Sequence, residues 1–344
     1  MTTDSRAAAE ASFERLSARG NEFLGTRIAV MGGAMTWVSE RNLVAAISNA
    51  GGFGVIACGA MEPERLRAEI RATRALTDAP FGVNLITMHP MLDALIDVCL
   101  GEHVGHVVLA GGLPARKAMR RVKEGGPKLL CFAPAPVLAR KLVRDGADAL
   151  VVEGSEAGGH VGPVSTNVLT QEILPLVRNV PVFVAGGIGR GEAMLSFMEM
   201  GAAGCQLGTR FVCATESIAH PAFKQAFFKG EARDAQPSVQ VDPSFPVIPV
   251  RALQNKATAR FIAFQHETIS AVRQGALETK EAQLKIEHFW AGALRRAVID
   301  GDVENGSLMA GQSVGMVKEE QPVAAILSEL RQQAVSALEA RIAV

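Results

Sequence analysis

A chain of 344 residues can bury a large core and suits either two ordinary domains or one barrel with an appended segment. Its 35 Lys plus Arg balance 35 Asp plus Glu, so no one-signed field recruits nucleic acid or a membrane surface. No apolar run reaches the about 20 residues of a membrane span, and the mixed-charge start MTTDSRAAAEASFERLSARG lacks the pattern of a signal peptide.

That N-terminal stretch reads as a short leading helix or a frayed arm. Apolar runs then recur at Arg27 to Met31, Gly54 to Ala57, Gly82 to Leu85, His106 to Leu109, Leu129 to Phe132, Ala149 to Val152, Val182 to Ala185 and Ala203 to Leu207. Stretches with helical spacing separate them, such as Leu43, Ala46, Ile47 and Ala50, and several stop at glycine just past the last turn. Eight βα units of this cadence predict a closed parallel (β/α)8 TIM barrel over residues 1–215. Residues 216–300 are more polar, with Pro243, Pro246 and Pro249 marking an irregular stretch, and read as an inserted or appended smaller helical subdomain or lid. Residues 301–344 hold a Gly/Met-rich turn and a final helix from about Pro322 to Ala343, packing back on the barrel.

Unusual residues cluster after the strands, on the face where barrel enzymes keep their active sites. The loops FVAGGIGRGEA and CQLGTRF follow the last two strands, where glycine lets backbone amides approach a phosphate and Thr209 adds a hydroxyl. The spacing of Gly187, Gly189 and Gly191 is wrong for a dinucleotide fingerprint, so a Rossmann domain is set aside. His160 ends the side-chain-poor loop EGSEAGGH after strand six, where an imidazole can serve as acid, base or hydrogen-bond donor; Glu153 and Glu156 are orienting or ligand-binding candidates. The other six histidines read as structural. Cys58, Cys99, Cys131, Cys205 and Cys213 are scattered, with no metal-ligand spacing, which predicts reduced core thiols and a cytoplasmic protein.

With these residues in hand, the chain resembles the nitronate monooxygenase (2-nitropropane dioxygenase) family and its relative, the FMN-containing enoyl-acyl-carrier-protein reductase. The likeness runs from Met31-Gly-Gly-Ala-Met35-Thr-Trp37-Val through Ala50-Gly-Gly-Phe-Gly54, Pro80-Phe-Gly-Val-Asn84, EGSEAGGHVG, VAGGIG and QLGTRFV to SLMAGQSVG. It implies FMN with its phosphate on Gly186, Gly187, Gly208 and Thr209, and ribityl or ring contacts from Asn84, Glu153 and Gln206. Gly33, Ala34 and Met35 would lie against the isoalloxazine, with Gly159 beside it, and His160 matches the family's catalytic histidine. Met309, Ala310, Gly311 and Gln312 would close the site. Ala29 and Gly32 stand where relatives carry Pro and Gln, and an apolar residue near Phe132 replaces a lysine of some quinone-reducing relatives.

The resemblance implies oxidation of alkyl nitronates by O2 to carbonyl compounds and nitrite. The alternative is reduction of an enoyl thioester or quinone with NAD(P)H as reductant, and a lesser one is a non-redox barrel binding a phosphorylated metabolite. The partner in each case is a small molecule; a homodimer remains open.

Overall fold

A computed structural model describes residues 3–242 and 247–342. Pro243 and Pro246 lie outside the described residues. The leading segment forms α1 (Thr3–Leu24), a full 22-residue helix rather than a short arm. Six βα units follow: β1 (Val30–Gly32) and α2 (Arg41–Asn49), β2 (Gly54–Ala57) and α3 (Pro63–Arg74), β3 (Phe81–Ile86) and α4 (Leu92–Gly101), β4 (His106–Ala110) and α5 (Arg116–Glu124), β5 (Lys128–Phe132) and α6 (Pro136–Arg144), then β6 (Ala149–Glu153). The sixth unit is interrupted by β7 (Gly159–His160) before α7 (Thr166–Ile173). The units of β8 (Val182–Ala185) with α8 (Gly191–Glu199) and β9 (Gly204–Leu207) with the single turn α9 (Thr209–Val212) complete the set.

These eight barrel strands pair in parallel in the order β1-β9-β8-β6-β5-β4-β3-β2. The ring closes where Gly32 N–H donates to Phe53 O and Phe53 N–H to Val30 O, both at 2.9 Å. The predicted strands thus all appear, differing only at their ends. Alternation along each strand splits the core in two. Met31, Phe53, Val55, Val108, Leu130, Ala149, Val151, Phe183 and Ala185 fill the lumen, while Val30, Ile56, Val83, Val107, Leu129, Leu150, Val184 and Cys205 face the helices. The lower end is stoppered by the last turn of α1: Phe23 meets His106 edge-on at 5.5 Å, and His106 Nε2 lies 3.0 Å from Phe23 O. Burial there drives the His106 pKa down to about 4, so its ring is neutral packing material.

Beyond the barrel come α10 (Pro221–Lys229), β10 (Ala235–Pro237), β11 (Val250–Leu253), α11 (Lys256–Arg273), α12 (Thr279–Val298), β12 (Leu308–Met309) and α13 (Val323–Ile342). Residues 216–300 are therefore not purely helical. β10, β11 and β12 form an antiparallel sheet that also takes in β7, through Val250 opposite His160. α13 returns to the barrel and packs on α1, where Arg331 pairs with Glu14 at 2.9 Å. All five cysteines are buried and unpaired, and burial pushes the thiols of Cys58, Cys99, Cys131 and Cys213 up to about 12. No described helix is long and apolar enough to cross a membrane.

Two glycines test the pairing of β1 with β9. A β-carbon at Gly204 would lie 2.2 Å from Ala29 O, inside the β1–β9 ladder, whereas one at Gly101, at the end of α4, meets nothing within 4 Å. In denaturant titrations Gly204→Ala is expected to cost at least the about 1–3 kcal/mol of an overpacked core. Gly101→Ala should be neutral or gain up to about 1 kcal/mol from a stiffer unfolded chain. Equal effects would mean that β1 and β9 do not pair as described.

Candidate active site at the barrel mouth

Strand register decides which side chains face the mouth. Glu153 pairs with Ala185, Ala185 with Gln206, and Gln206 with Met31, so these four stand in one row on lumen-facing positions of β6, β8, β9 and β1. Asn84 faces the same lumen from β3, buried, with its amide reaching Val108 O at 3.4 Å. No described residue hydrogen-bonds to the side chains of Glu153 or Gln206, which leaves a carboxyl and a carboxamide with unused capacity at one end of the lumen. Burial pushes the Glu153 pKa up to about 8. Its carboxyl is therefore mainly protonated at neutral pH and able to donate a hydrogen bond.

The loops after β8 and β9 are adjacent because their strands are. Gly186 and Gly187 hold φ of 98° and 73°, a left-handed pair that side chains resist. Among the described residues no acceptor takes the backbone N–H groups of Gly186, Gly187, Gly208 or Thr209. The loop after β1 comes close to them: Gly33 N–H donates to Leu207 O at 2.8 Å, and a β-carbon at Gly208 would lie 3.4 Å from Met35 Sδ. Ser39 fixes that loop, donating to Gly33 O at 2.7 Å and accepting from Met35 N–H at 3.0 Å. Ala34 lies between them, half-buried and packed against the lumen cluster. Bare amide donors, paired glycines and unsatisfied polar side chains are what an extended ligand with a phosphate at one end requires.

The C-terminal turn lies against the same loops. Gly311 N–H donates to the Thr209 hydroxyl at 3.0 Å, and Gln312 N–H to Glu156 O at 2.9 Å. The backbones touch: a β-carbon at Gly158 would lie 2.6 Å from Gly311 N and 2.7 Å from Ala310 C, and one at Gly159 would lie 3.7 Å from Met309 Sδ. His160 is exposed on β7, with its backbone in the second sheet. Every sequence-predicted site residue is thus carried by a strand end or loop of this face, or by the turn folded onto it. Glu156 has another task, since its carboxylate accepts from Thr166 N–H at 2.8 Å and Thr166 Oγ1 at 2.9 Å and caps α7.

Three positioning residues escaped the sequence reading. Ser39 and Thr166 stand where helix-start chemistry could have flagged them. Arg251 carried no signal; buried on β11, it donates to Ser155 O at 2.7 Å and to Ala235 O, tying the His160 loop to β10. Two cavities contain none of the sequence-predicted residues: one of about 350 Å³ on the opposite face beside His106, and one of about 340 Å³ behind the first loop, beside Trp37.

The description of one family model, nitronate monooxygenase, matches residues 18–96 and 91–333. The chain belongs to the nitronate monooxygenase family. It is an FMN-dependent oxidoreductase, which removes the non-redox alternative. It is 30% identical over 327 residues to the (3aS,4S,5R,7aS)-5-hydroxy-7a-methyl-1-oxo-octahydro-1H-indene-4-carboxyl-CoA dehydrogenase of Mycobacterium tuberculosis, covering 88% of this chain and 92% of the relative. To the nitronate monooxygenase of Pseudomonas aeruginosa it is 33% identical over 254 residues, 60% of this chain and 72% of that protein. The structure of FabK from Thermotoga maritima superposes with a TM-score of 0.85 at 36% identity, covering 94% of this chain and 98% of FabK.

Glu153 yields a test. A carboxyl whose pKa rises from 4.5 unfolded to about 8 folded contributes stability that is whole below pH 4.5 and lost as pH climbs through 8. FMN-free protein should lose stability over that window, by less than about 1.4 kcal/mol per pH unit because the residue is partly exposed. Glu153→Gln should flatten the slope in thermal melts from pH 5 to pH 9; an unchanged slope would show that Glu153 ionises normally.

Proposed function

We propose that the chain oxidises alkyl nitronates, with O2 as co-substrate, to carbonyl compounds and nitrite, at an FMN held in the barrel mouth. The observation that carries this reading is the convergence of acceptor-free amides after β8 and β9 on a row of unsatisfied polar side chains. Bound FMN supplies an electron acceptor that a nitronate can reduce.

The chain's own groups divide the remaining work. Amides of Gly186, Gly187, Gly208 and Thr209 hold the phosphate without a cation, since Arg210 is committed to Glu329 at 2.7 Å and Gln321 at 3.1 Å. Asn84, Gln206 and a protonated Glu153 hydrogen-bond the ribityl and ring polar atoms, while Gly33, Ala34, Met35 and Gly159 flank the ring. His160 donates a hydrogen bond to the nitronate oxygens, or takes the α-proton when the substrate arrives as a neutral nitroalkane. Met309, Ala310, Gly311 and Gln312 cover the site and exclude water.

A second reading is NAD(P)H-dependent reduction of an enoyl thioester or quinone in the same site, with His160 polarising the carbonyl. It is favoured by the likeness to a dehydrogenase whose name gives a CoA thioester substrate, and to FabK. Purified holoenzyme should consume O2 with propyl nitronate and no NAD(P)H. NADH oxidation that depends on an enoyl thioester, without nitronate turnover, selects the second reading. His160→Ala should keep its FMN but lose turnover by about 10²- to 10⁴-fold. Full activity in that variant would remove the assigned role.

A further inference from the structure

The two sides of the mouth differ in chemistry. Where β6, β8 and β9 present Glu153, Ala185 and Gln206, the neighbouring strands β3, β4 and β5 end their lumen faces in Ile86, Ala110 and Phe132, each half-buried. Ile86 and Ala110 are register partners. Above them two loops are tied into one ledge: Thr87 N–H donates to Ala110 O at 2.8 Å, Thr87 Oγ1 to Gly111 O at 2.9 Å, and a β-carbon at Gly112 would lie 3.9 Å from Met88 Cγ. On this ledge stand Met88, 62% exposed, Leu113, 52% exposed, and Met91, 37% exposed. Residues 86–91 and 110–114 include no Asp, Glu, Lys or Arg. Their one titratable group, His89, has its pKa lowered by burial and accepts from Met91 N–H at 3.1 Å. Uncharged apolar side chains exposed on two loops tied together at a barrel mouth are the kind of surface that marks a binding site.

We propose that Ile86, Ala110 and Phe132, with Met88, Met91 and Leu113 above them, form the subsite for the hydrocarbon tail of the substrate and set its chain-length preference. The wall is continuous with the lumen, so a tail entering it has its polar head beside Glu153, Gln206 and the bound flavin. Thioether and leucine side chains adapt to a flexible alkyl chain and impose no fixed shape. The assignment rests on the mouth being the substrate site, and holds for a nitronate or a thioester head alike.

The test uses the FMN-loaded full-length protein and straight-chain carboxylates from propanoate to decanoate, with Kd measured by calorimetry. A fully buried methylene is worth about fourfold in affinity, and an open ledge covers one side of the chain, so Kd should tighten about twofold per methylene. Met88→Gln and Leu113→Gln should each lower the decanoate-to-propanoate affinity ratio about fivefold or more, and the octyl-to-propyl ratio of kcat/KM for the nitronates should fall with it. Leu176→Gln, on an exposed leucine at the opposite face, should leave both ratios unchanged. Affinity independent of chain length, or ratios that survive both ledge variants, overturns the proposal. A holoenzyme that ignores nitronates yet keeps the chain-length slope in binding defeats only the nitronate reading and supports the ledge. A wild-type dimer that Met88→Gln converts to monomer assigns the surface to a second copy of the chain and also overturns the proposal.

Discussion

The register of four short parallel strands governs everything at the mouth. Because side chains alternate with a period of two, pairing Glu153 with Ala185 and Gln206 with Met31 turns the carboxyl and carboxamide into the lumen and sends Val152, Val184 and Leu207 to the helices. A slip of one residue in either β6 or β9 would point a polar group into the outer core and a leucine or valine into the mouth. That register is held from both ends: by Phe53 and Phe183 filling the lumen below, and by backbone bonds that lock the β1 loop to Leu207 and the β6 loop to Ala185 above. The geometry of the candidate site is inherited from core packing.

Electrostatics follows from what the mouth omits. The ligand that the amides suit carries negative charge, and so does a nitronate. Yet Arg210 is turned away to Glu329, and Arg251 is spent on the carbonyls of Ser155, in the loop after β6, and Ala235, in β10. A charged Glu153 in the same space would repel both anions. Its upward-shifted pKa removes that repulsion, and under the proposed function neutral donors, backbone amides and the imidazole of His160 would do the binding.

The barrel was legible in the sequence because each strand is a short apolar run and several of the helices before them stop at glycine, a pattern that survives without any contact information. Most of the candidate site residues could be located for the same reason, since they stand at or after strand ends that converge in a barrel, while the roles given to them and the turn Met309 to Gln312 came from the family resemblance. The second sheet was not legible. β7 and β12 are two residues long and β10 is three, too short for any periodicity, and they exist only because β11 brings them together. Glu156 misled for a related reason, since a carboxylate beside His160 reads as chemistry until Thr166, ten positions on, is seen to claim it as a cap.

That unforeseen sheet bears on how the histidine is held. Gly159 and His160 pair with Arg251 and Val250, and the next residues along β11, Ala252 and Leu253, pair with Met309 and Leu308. The loop bearing the candidate acid–base group and the turn that covers the site are therefore strands of one small sheet. Arg251 couples that sheet to Ser155, while the Thr209 hydroxyl couples the turn to the loop after β9. A displacement of β11 must carry the backbones of His160 and Met309 with it, and Gly311 ties the same assembly to Thr209. The His160 loop, the C-terminal turn and the loop after β9 are thus joined through contacts that lie outside the barrel.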